Sequence, residues 1–223
     1  MNMKLFLEAI IKFILGVVII ALLIFVPANT INFWNGWLFM VLLFIPMFIA
    51  GCIMMIKSPE LLRKRLNAKE KEKEQKQVVK LSGLMFLLGF IIAGLNYKYN
   101  WVVLPNFVVI IASVVFVLSY VLYAEVLREN TYLSRTIEVQ ENQKVIDKGL
   151  YGVVRHPMYA ATILLFLSMP LVLGSIISFV IFLVYPFIIA KRIKNEEQVL
   201  EKELKGYSEY KKKVKYKMIP FIW

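Results

Sequence analysis

Two short segments of this sequence carry polar residues that could do chemistry, and each lies beside an apolar stretch. The first contains Arg155, His156 and Pro157, with the only histidine of the chain, and the second places Arg192 four residues before Glu196. A four-residue spacing puts Arg192 and Glu196 on one helix face. An arginine can bind a carboxylate through two parallel hydrogen bonds, and a histidine can accept a proton. The alternative is that both segments only anchor helices at a membrane surface, where an exposed ion pair contributes about 0.3 kcal/mol.

An apolar stretch, residues 158–190, separates the two polar segments and must position them. As one straight helix its 33 residues would be about 50 Å long, whereas the hydrocarbon core of a bilayer is about 30 Å thick. Pro170 and Gly174 lie at the middle of the stretch and predict a helical hairpin that turns near residues 170–175. Because a hairpin returns to the side where it began, we expect the two polar segments to meet at one membrane face.

The composition excludes a single water-soluble globular domain. Of the 223 residues, 60% are hydrophobic and 19% are charged, against about 45–50% and about 25% in soluble domains. Further apolar runs occupy residues 5–26, 33–56, 81–95 and 101 or 107–124. The first run also loosely fits a signal peptide, but we count it as a helix. We therefore predict an all-α polytopic membrane protein with five to six transmembrane segments, divided into N-terminal transmembrane helices (1–124) and a region around the hairpin (125–223).

Basic residues are concentrated in a few segments. The chain has 27 lysines and arginines and a net charge of +12, and most of these residues lie within 57–80, 125–157 and 191–223. By the positive-inside rule, these segments and both termini are cytoplasmic, so the hairpin leads into a cytoplasmic C-terminal helix. Topology and contact with anionic membrane lipids explain the basic excess, and we predict no nucleic-acid partner.

Several familiar patterns of metal and nucleotide sites are missing. Cys52 is the single cysteine, and with one histidine the sequence excludes a cysteine cluster, an intrachain disulfide and a multi-histidine metal site. The glycine-rich phosphate-binding patterns of soluble nucleotide folds do not occur either. We predict no metal site, and the polar segments around the hairpin remain the candidates for a functional site.

The region 125–223 contains a specific order of motifs: a glutamine, G-x-Y, R-H-P-x-Y, an apolar hairpin, R-x-x-x-E-E and Y-x-x-Y-x-x-x-V. This order resembles the isoprenylcysteine carboxyl methyltransferase family, whose members are integral membrane enzymes. They transfer a methyl group from S-adenosylmethionine to the carboxylate of a prenylated cysteine. The motif residues here are Gln140, Gly149 and Tyr151, Arg155 to Tyr159, Arg192 with Glu196 and Glu197, and Tyr207, Tyr210 and Val214.

The resemblance implies a methyltransferase that uses S-adenosylmethionine and a prenylated or otherwise lipidic methyl acceptor. The chain is shorter than eukaryotic members and is similar to bacterial relatives, which implies a bacterial cytoplasmic membrane. Eukaryotic members carry Phe-Gly where this chain has Leu204, Lys205 and Gly206 before Tyr207, so the identity of the acceptor stays open. Arg192 is implied as the catalytic residue that faces the acceptor. The residues implied to line the cofactor pocket are Gln140, Val145, Ile146, Tyr151, His156, Pro157, Tyr159 and Glu196.

These residue types suit the implied chemistry. A sulfonium cation is attracted to a tyrosine face by about 0.5–2 kcal/mol, and Tyr151 and Tyr159 offer such faces. Glu196 can accept hydrogen bonds from the cofactor's ammonium group. A carboxylate acceptor is already ionised at neutral pH, so it needs alignment and a cationic partner such as Arg192. An amine acceptor would first have to lose a proton, for which His156 is the available histidine base.

Three other functions stay open at this point. A membrane phospholipid N-methyltransferase would use the same cofactor on an amine. An NADPH-dependent enzyme of the sterol-reductase kind resembles the family in its C-terminal architecture. A transporter or scaffold is the third, although the sequence shows neither an internal repeat nor paired discontinuous helices that would support it.

Overall fold

The computed structural model describes residues 3–67, 73–134 and 136–223, and every regular element within these ranges is a helix. The predicted all-α fold is therefore confirmed. Residues 68–72 of the predicted cytoplasmic segment 57–80 lie outside the described residues. The elements are α1 (Met3–Ala28), α2 (Trp34–Lys57), α3 (Pro59–Leu66), α4 (Lys73–Tyr99), α5 (Asn106–Glu129), a 3-10 turn (Gly149–Gly152), α6 (Pro157–Val172), α7 (Ile176–Phe182), α8 (Tyr185–Glu203) and α9 (Tyr207–Lys213).

Five helical stretches of the described chain are long and apolar enough to cross a membrane, which agrees with the prediction of five to six segments. The helix α6 is apolar but has 16 residues, or about 24 Å at 1.5 Å per residue, which is less than the bilayer core. The third predicted run, 81–95, is longer in the structure because polar residues of good helix propensity extend α4 at its start. The candidate spans are Met3–Ala28, Trp34–Lys57, Gln75–Tyr99, Asn106–Glu129 and Ile176–Glu203.

Aromatic side chains fill the centre of the helix bundle and pack α2, α4, α5 and α7 against one another. Phe39 of α2 lies with its ring centroid 5.5 Å from that of Phe90 in α4 and 6.1 Å from that of Phe116 in α5. Phe182 of α7 is fully buried against Phe90. Gly89 lets the Phe182 ring approach α4 this closely, since a Cβ at position 89 would lie 2.2 Å from the ring. The predicted division at 124/125 falls inside α5 and remains a prediction.

The hairpin forms where the sequence predicts it. The first arm, α6, ends at Val172, and Gly174 adopts a φ of 74°, a left-handed conformation that favours glycine. The Ser175 side chain then accepts a hydrogen bond from the backbone of Ser178 (3.1 Å) and caps α7. The second arm consists of α7 and α8, and Pro186 near the start of α8 lies where a missing N–H costs little.

The segments that carry the predicted site residues lie together at one end of the bundle. The Lys12 ammonium of α1 donates to the Leu66 carbonyl of α3 (2.8 Å), and Arg65 of α3 donates to the Ser134 carbonyl in the loop after α5 (3.4 Å). The α6 start and the α8 end reach the same level, because the hairpin brings them back together. We call this the polar end; its assignment to the cytoplasm remains a prediction from the basic residues.

Candidate active site

A polar cleft lies at the polar end, between the loop after α5, the 3-10 turn, the start of α6, the end of α8 and α9. Its cavity volume is about 100 Å³. Ligand pockets typically measure about 300–1,000 Å³, so a cofactor-sized molecule would also fill the open mouth. Polar lining residues include Glu138, Gln143, Tyr151, His156, Tyr159, Arg192, Glu196 and Tyr207, and apolar ones include Val145, Ile146, Leu200 and Leu204.

A chain of hydrogen bonds joins the two halves of the hairpin in the cleft wall. The Arg192 Nε atom donates to the Tyr159 hydroxyl at 2.9 Å, and that hydroxyl donates to the Glu196 carboxylate. Tyr159 is 4% exposed, whereas Arg192 and Glu196 are half-buried. The expected neighbours on one face of α8 therefore lie close together, with a tyrosine of α6 between them. We call this the Arg192–Tyr159–Glu196 chain.

The adjacent carboxylate, Glu197, pairs with the other polar segment. Its Oε1 atom accepts from Arg155 Nε at 2.7 Å and lies 3.1 Å from His156 Nε2. All three side chains are at most 6% exposed. Buried charges need partners and hydrogen bonds, and each of these groups has both. Arg155 and His156 thus lie inside the protein, and we call this group the Glu197 cluster.

Arg155 lines one side of the cleft, which we call the cleft floor, and it is bonded to the segment after α9. The Arg155 guanidinium donates to the Val214 and Lys215 carbonyls at 2.7 and 2.8 Å, and its backbone N–H donates to the Tyr216 carbonyl. On the same side, the Tyr210 hydroxyl donates to the Tyr151 carbonyl at 2.7 Å. The cleft floor is therefore fixed by contacts between segments far apart in sequence.

The 3-10 turn that carries Tyr151 is positioned by α5. The Glu129 carboxylate at the end of α5 accepts from the Leu150 backbone N–H at 2.9 Å. Gly149 has a φ of 59°, and a Cβ there would lie 1.9 Å from Glu129 Oε1. Glycine is therefore required at this position by both conformation and space.

Most of the predicted site residues line the cleft, and two do not. Gln140 lies outside it, where its side-chain oxygen accepts from the Lys64 ammonium and its amide nitrogen donates to the Tyr132 carbonyl, both at 2.5 Å. Pro157 is buried as the first residue of α6. Those in the cleft wall are Val145, Ile146, Tyr151, His156, Tyr159, Arg192 and Glu196.

Sequence reasoning did not assign a site role to Glu138 or Tyr207, which also line the cleft. The Thr136 hydroxyl donates to Glu138 at 3.2 Å. The Tyr207 hydroxyl is buried and has no hydrogen-bond partner among the described residues. Burial raises the pKa of Tyr207 and of Tyr151, so both phenols are neutral at physiological pH. Tyr207 is the first tyrosine of the Y-x-x-Y motif, and this motif was the one feature of the sequence that could have indicated its place in the cleft.

This set of side chains fits a polar cofactor that carries both a cation and hydroxyl groups. Glu196 and Glu138 are hydrogen-bond acceptors, the buried Tyr207 hydroxyl is a donor in need of an acceptor, and Tyr151 and Tyr159 offer aromatic faces. Among the described residues, no group of three histidine, cysteine, aspartate or glutamate side chains could hold a metal ion.

Fold and site define a polytopic helical membrane protein with a polar cleft at one end of its bundle. Residues 110–202 match the model of the isoprenylcysteine carboxyl methyltransferase (ICMT) family. The family resemblance predicted from the motifs is thus confirmed over that range.

Two known proteins are similar to parts or all of the chain. The mouse (Mus musculus) Delta(14)-sterol reductase TM7SF2 is 29% identical over 91 residues, which is 40% of this chain and 22% of that protein. The match thus spans about a fifth of that relative's length. The structure of the eukaryotic intramembrane Ras methyltransferase ICMT aligns with a TM-score of 0.49 and 15% identity, over 100% of this chain and 87% of that one.

Proposed function

We propose that this protein is a methyltransferase that uses S-adenosylmethionine to methylate the carboxylate of a prenylated cysteine or a similar amphiphile, at the cytoplasmic face of a bacterial membrane. The observation that carries the proposal is the Arg192–Tyr159–Glu196 chain, which places a guanidinium and a carboxylate together in a cleft at the end of an apolar hairpin. The family match over residues 110–202 supports the reaction class.

The cofactor side of the cleft would be formed by the aromatic and acidic lining. Bound S-adenosylmethionine would supply the electrophilic methyl group. Tyr151 and Tyr159 would face its cation, and Glu196 would accept from its ammonium group. His156 is oriented by Glu197 and lines the same wall. Gln140 would act from outside the cleft, by holding the loop that continues to Val145 and Ile146.

The acceptor side would be formed by Arg192. A guanidinium has five N–H donors in one plane, so Arg192 can keep its bond to Tyr159 and still bind an acceptor carboxylate with others. The carboxylate is already ionised, so the protein has to supply alignment and a positive charge rather than a base. Because Arg192 lies on the helix that continues the membrane span, an acceptor with its lipid tail in the bilayer could reach it.

A methyl-transfer assay with labelled cofactor tests the proposal directly. The purified protein in lipid vesicles would be given prenylcysteine analogues or a total lipid extract. We expect label in a product that mild base releases as volatile methanol, since carboxyl methyl esters hydrolyse and N-methyl amines do not. Base-stable label on a phospholipid would instead identify an N-methyltransferase, and no transfer to any amphiphile would overturn the proposal.

A reductase of the sterol-reductase kind is the second candidate, and the similarity to the mouse sterol reductase favours it. The two candidates differ in the ligand that stabilises the folded protein. Binding stabilises by RT ln(1 + [L]/Kd), so the melting temperature should rise with S-adenosylhomocysteine for a methyltransferase and with NADPH for a reductase. A transporter or scaffold predicts no rise with either ligand.

A further inference from the structure

The last eight residues, 216–223, expose large apolar side chains although they adopt a defined conformation. Phe221 is 86% exposed, Ile222 is 79% exposed and Ile219 is 43% exposed. Exposed apolar side chains that lie close together form a patch of the kind that marks a membrane or protein interaction site. We call residues 216–223 the terminal segment.

Backbone hydrogen bonds place the terminal segment at the level where α6 begins. The Arg155 and His156 N–H groups donate to the Tyr216 and Lys217 carbonyls at 3.0 and 2.7 Å, immediately before α6 starts at Pro157. Met218 is 7% exposed and packs into the same apolar cluster as the membrane-spanning helices. The exposed side chains of the segment therefore lie at the boundary between the polar end and the lipid-facing surface of the bundle.

A tight turn holds the exposed side chains in place. The Ile219 N–H donates to the main-chain oxygen of Trp223 at 2.9 Å, and the Trp223 N–H donates to the Ile219 carbonyl at 3.0 Å. Phe221 inside this turn has a φ of 65°, which is uncommon for a residue with a large side chain. The apolar surface is thus preformed.

We propose that the terminal segment inserts Phe221 and Ile222 into the interfacial region of the bilayer, on the leaflet next to the cleft. Two features favour a lipid surface over a protein partner. The segment is bonded to the backbone just before α6, the first arm of the apolar hairpin, and Lys217 lies with its ammonium 4.9 Å from the Trp223 ring centre. Aromatic residues together with lysines are typical of the headgroup level, where anionic lipids attract the lysines.

This insertion has a consequence for the cleft. Because the terminal segment is bonded directly to the backbone of Arg155 and His156, its depth in the membrane fixes the depth of the cleft floor. The cleft mouth would then open at the headgroup level. The membrane location of the segment does not depend on the proposed reaction.

Spin labels at two exposed positions test the insertion. In a Cys52→Ala background, one variant carries the label at Ile222→Cys and the control carries it at Lys212→Cys on the exposed side of α9. Both are reconstituted in vesicles of phosphatidylcholine with phosphatidylglycerol, and relaxation by oxygen is compared with relaxation by a water-soluble nickel chelate. We expect the oxygen-to-nickel accessibility ratio to be several-fold higher at position 222 than at position 212.

A ratio at position 222 no higher than at position 212 would overturn the proposal, since vesicles contain no protein partner that could cover the segment. If the Ile222→Cys protein does not fold, Phe221→Cys carries the same expectation. The readout is independent of methyl transfer, so failure of this proposal and failure of the proposed function remain distinguishable.

Discussion

Two neighbouring glutamates on α8 lie in opposite environments, and the contrast separates what holds the site together from what could do chemistry. Glu197 is 5% exposed and pairs with Arg155 and His156 in the Glu197 cluster. Glu196 is half-buried, lines the cleft and accepts from the Tyr159 hydroxyl. Consecutive residues on a helix are about 100° apart, so one glutamate faces the protein interior and the other faces the cleft.

The difference in burial predicts a difference in what each carboxylate contributes. Removing one partner of a buried ion pair leaves an uncompensated charge and costs about 3–5 kcal/mol. Removing a half-buried carboxylate that keeps contact with water should lower the free energy of unfolding by less. Its removal should therefore affect ligand binding more than folding.

Replacing Glu197 should destabilise the fold more than any other change at the site. Glu197→Ala leaves Arg155 and His156 buried without their carboxylate, and we expect a loss of about 3–5 kcal/mol in the free energy of unfolding. Denaturant unfolding in detergent or bicelles, followed by circular dichroism, measures this loss. Glu203→Ala at the exposed end of α8 is the matched control and should unfold like the parent protein. Equal stability of the two variants would mean that the Glu197 cluster does not hold the fold.

Replacing Arg192 with lysine should reduce turnover sharply while leaving the fold intact. Lysine keeps the charge but loses the planar geometry that holds both Tyr159 and an acceptor carboxylate. A misplacement of about 1 Å can cost about a hundredfold in rate, so we expect kcat to fall by about that factor with little change in cofactor affinity. Arg63→Lys on the exposed face of α3 serves as the control. Near-normal turnover of Arg192→Lys would refute the carboxylate-binding role and direct attention to an amine acceptor and His156.

Replacing Glu196 should weaken cofactor binding without unfolding the protein. A ligand ammonium that loses its acceptor costs about 1–3 kcal/mol, which corresponds to an affinity weaker by about 5-fold to 150-fold. Calorimetry with S-adenosylhomocysteine on folded Glu196→Ala measures this change. Unchanged affinity would remove Glu196 from the proposed cofactor side, and a large loss of stability would erase the contrast with Glu197.

The features of this molecule that depend on local sequence could be predicted. The hairpin turn follows from the length of an apolar stretch interrupted by Pro170 and Gly174, and the start of α6 follows from Pro157. Hydropathy and charge gave the number of membrane-spanning helices to within one. These properties depend on residues close together in the chain, so sequence patterns report them directly.

The features that depend on contacts between distant segments could not be predicted. Gln140 lies outside the cleft because Lys64 of α3, 76 residues earlier, binds its side-chain oxygen. Which of Glu196 and Glu197 faces the interior depends on the position of Arg155, and that position depends on carbonyls of residues after α9. Neither spacing nor composition contains this information.

The contact between Lys64 and Gln140 leads to a prediction of moderate size. Lys64→Met removes the hydrogen bond that fixes Gln140, and the loop that leads to Val145 and Ile146 should become less ordered. A hydrogen bond of this kind contributes about 0.5–1.5 kcal/mol, so we expect a two- to tenfold loss of cofactor affinity, with kcat nearly unchanged. Lys57→Met, exposed at the end of α2, is the control. If Gln140 acts only through Lys64, adding Gln140→Leu to Lys64→Met should have no further effect, whereas additive losses would show an independent role.

The smallest effect is expected at the ion pair between Asp147 and Lys213. It connects the site loop to α9 with a distance of 2.8 Å, as short as the contacts of the Glu197 cluster, but the two side chains are 40% and 65% exposed. The hydrogen bond and charge of Lys213 lower the pKa of Asp147 in the folded protein. The pair therefore stabilises the fold above the ordinary aspartate pKa of about 3.9, and this stabilisation is lost as the pH falls through the lower folded value.

Because both side chains are exposed, Asp147→Asn should melt within experimental error of the parent protein at neutral pH. Any difference should shrink with added salt, which screens exposed charges, and should disappear in acid, where Asp147 is protonated. Melting curves of both proteins between pH 3 and 8, at low and high salt, measure this directly. A large, salt-insensitive loss of melting temperature in Asp147→Asn would show that distance rather than burial decides how much an ion pair stabilises this fold. Burial would then not explain the different contributions of Glu196 and Glu197.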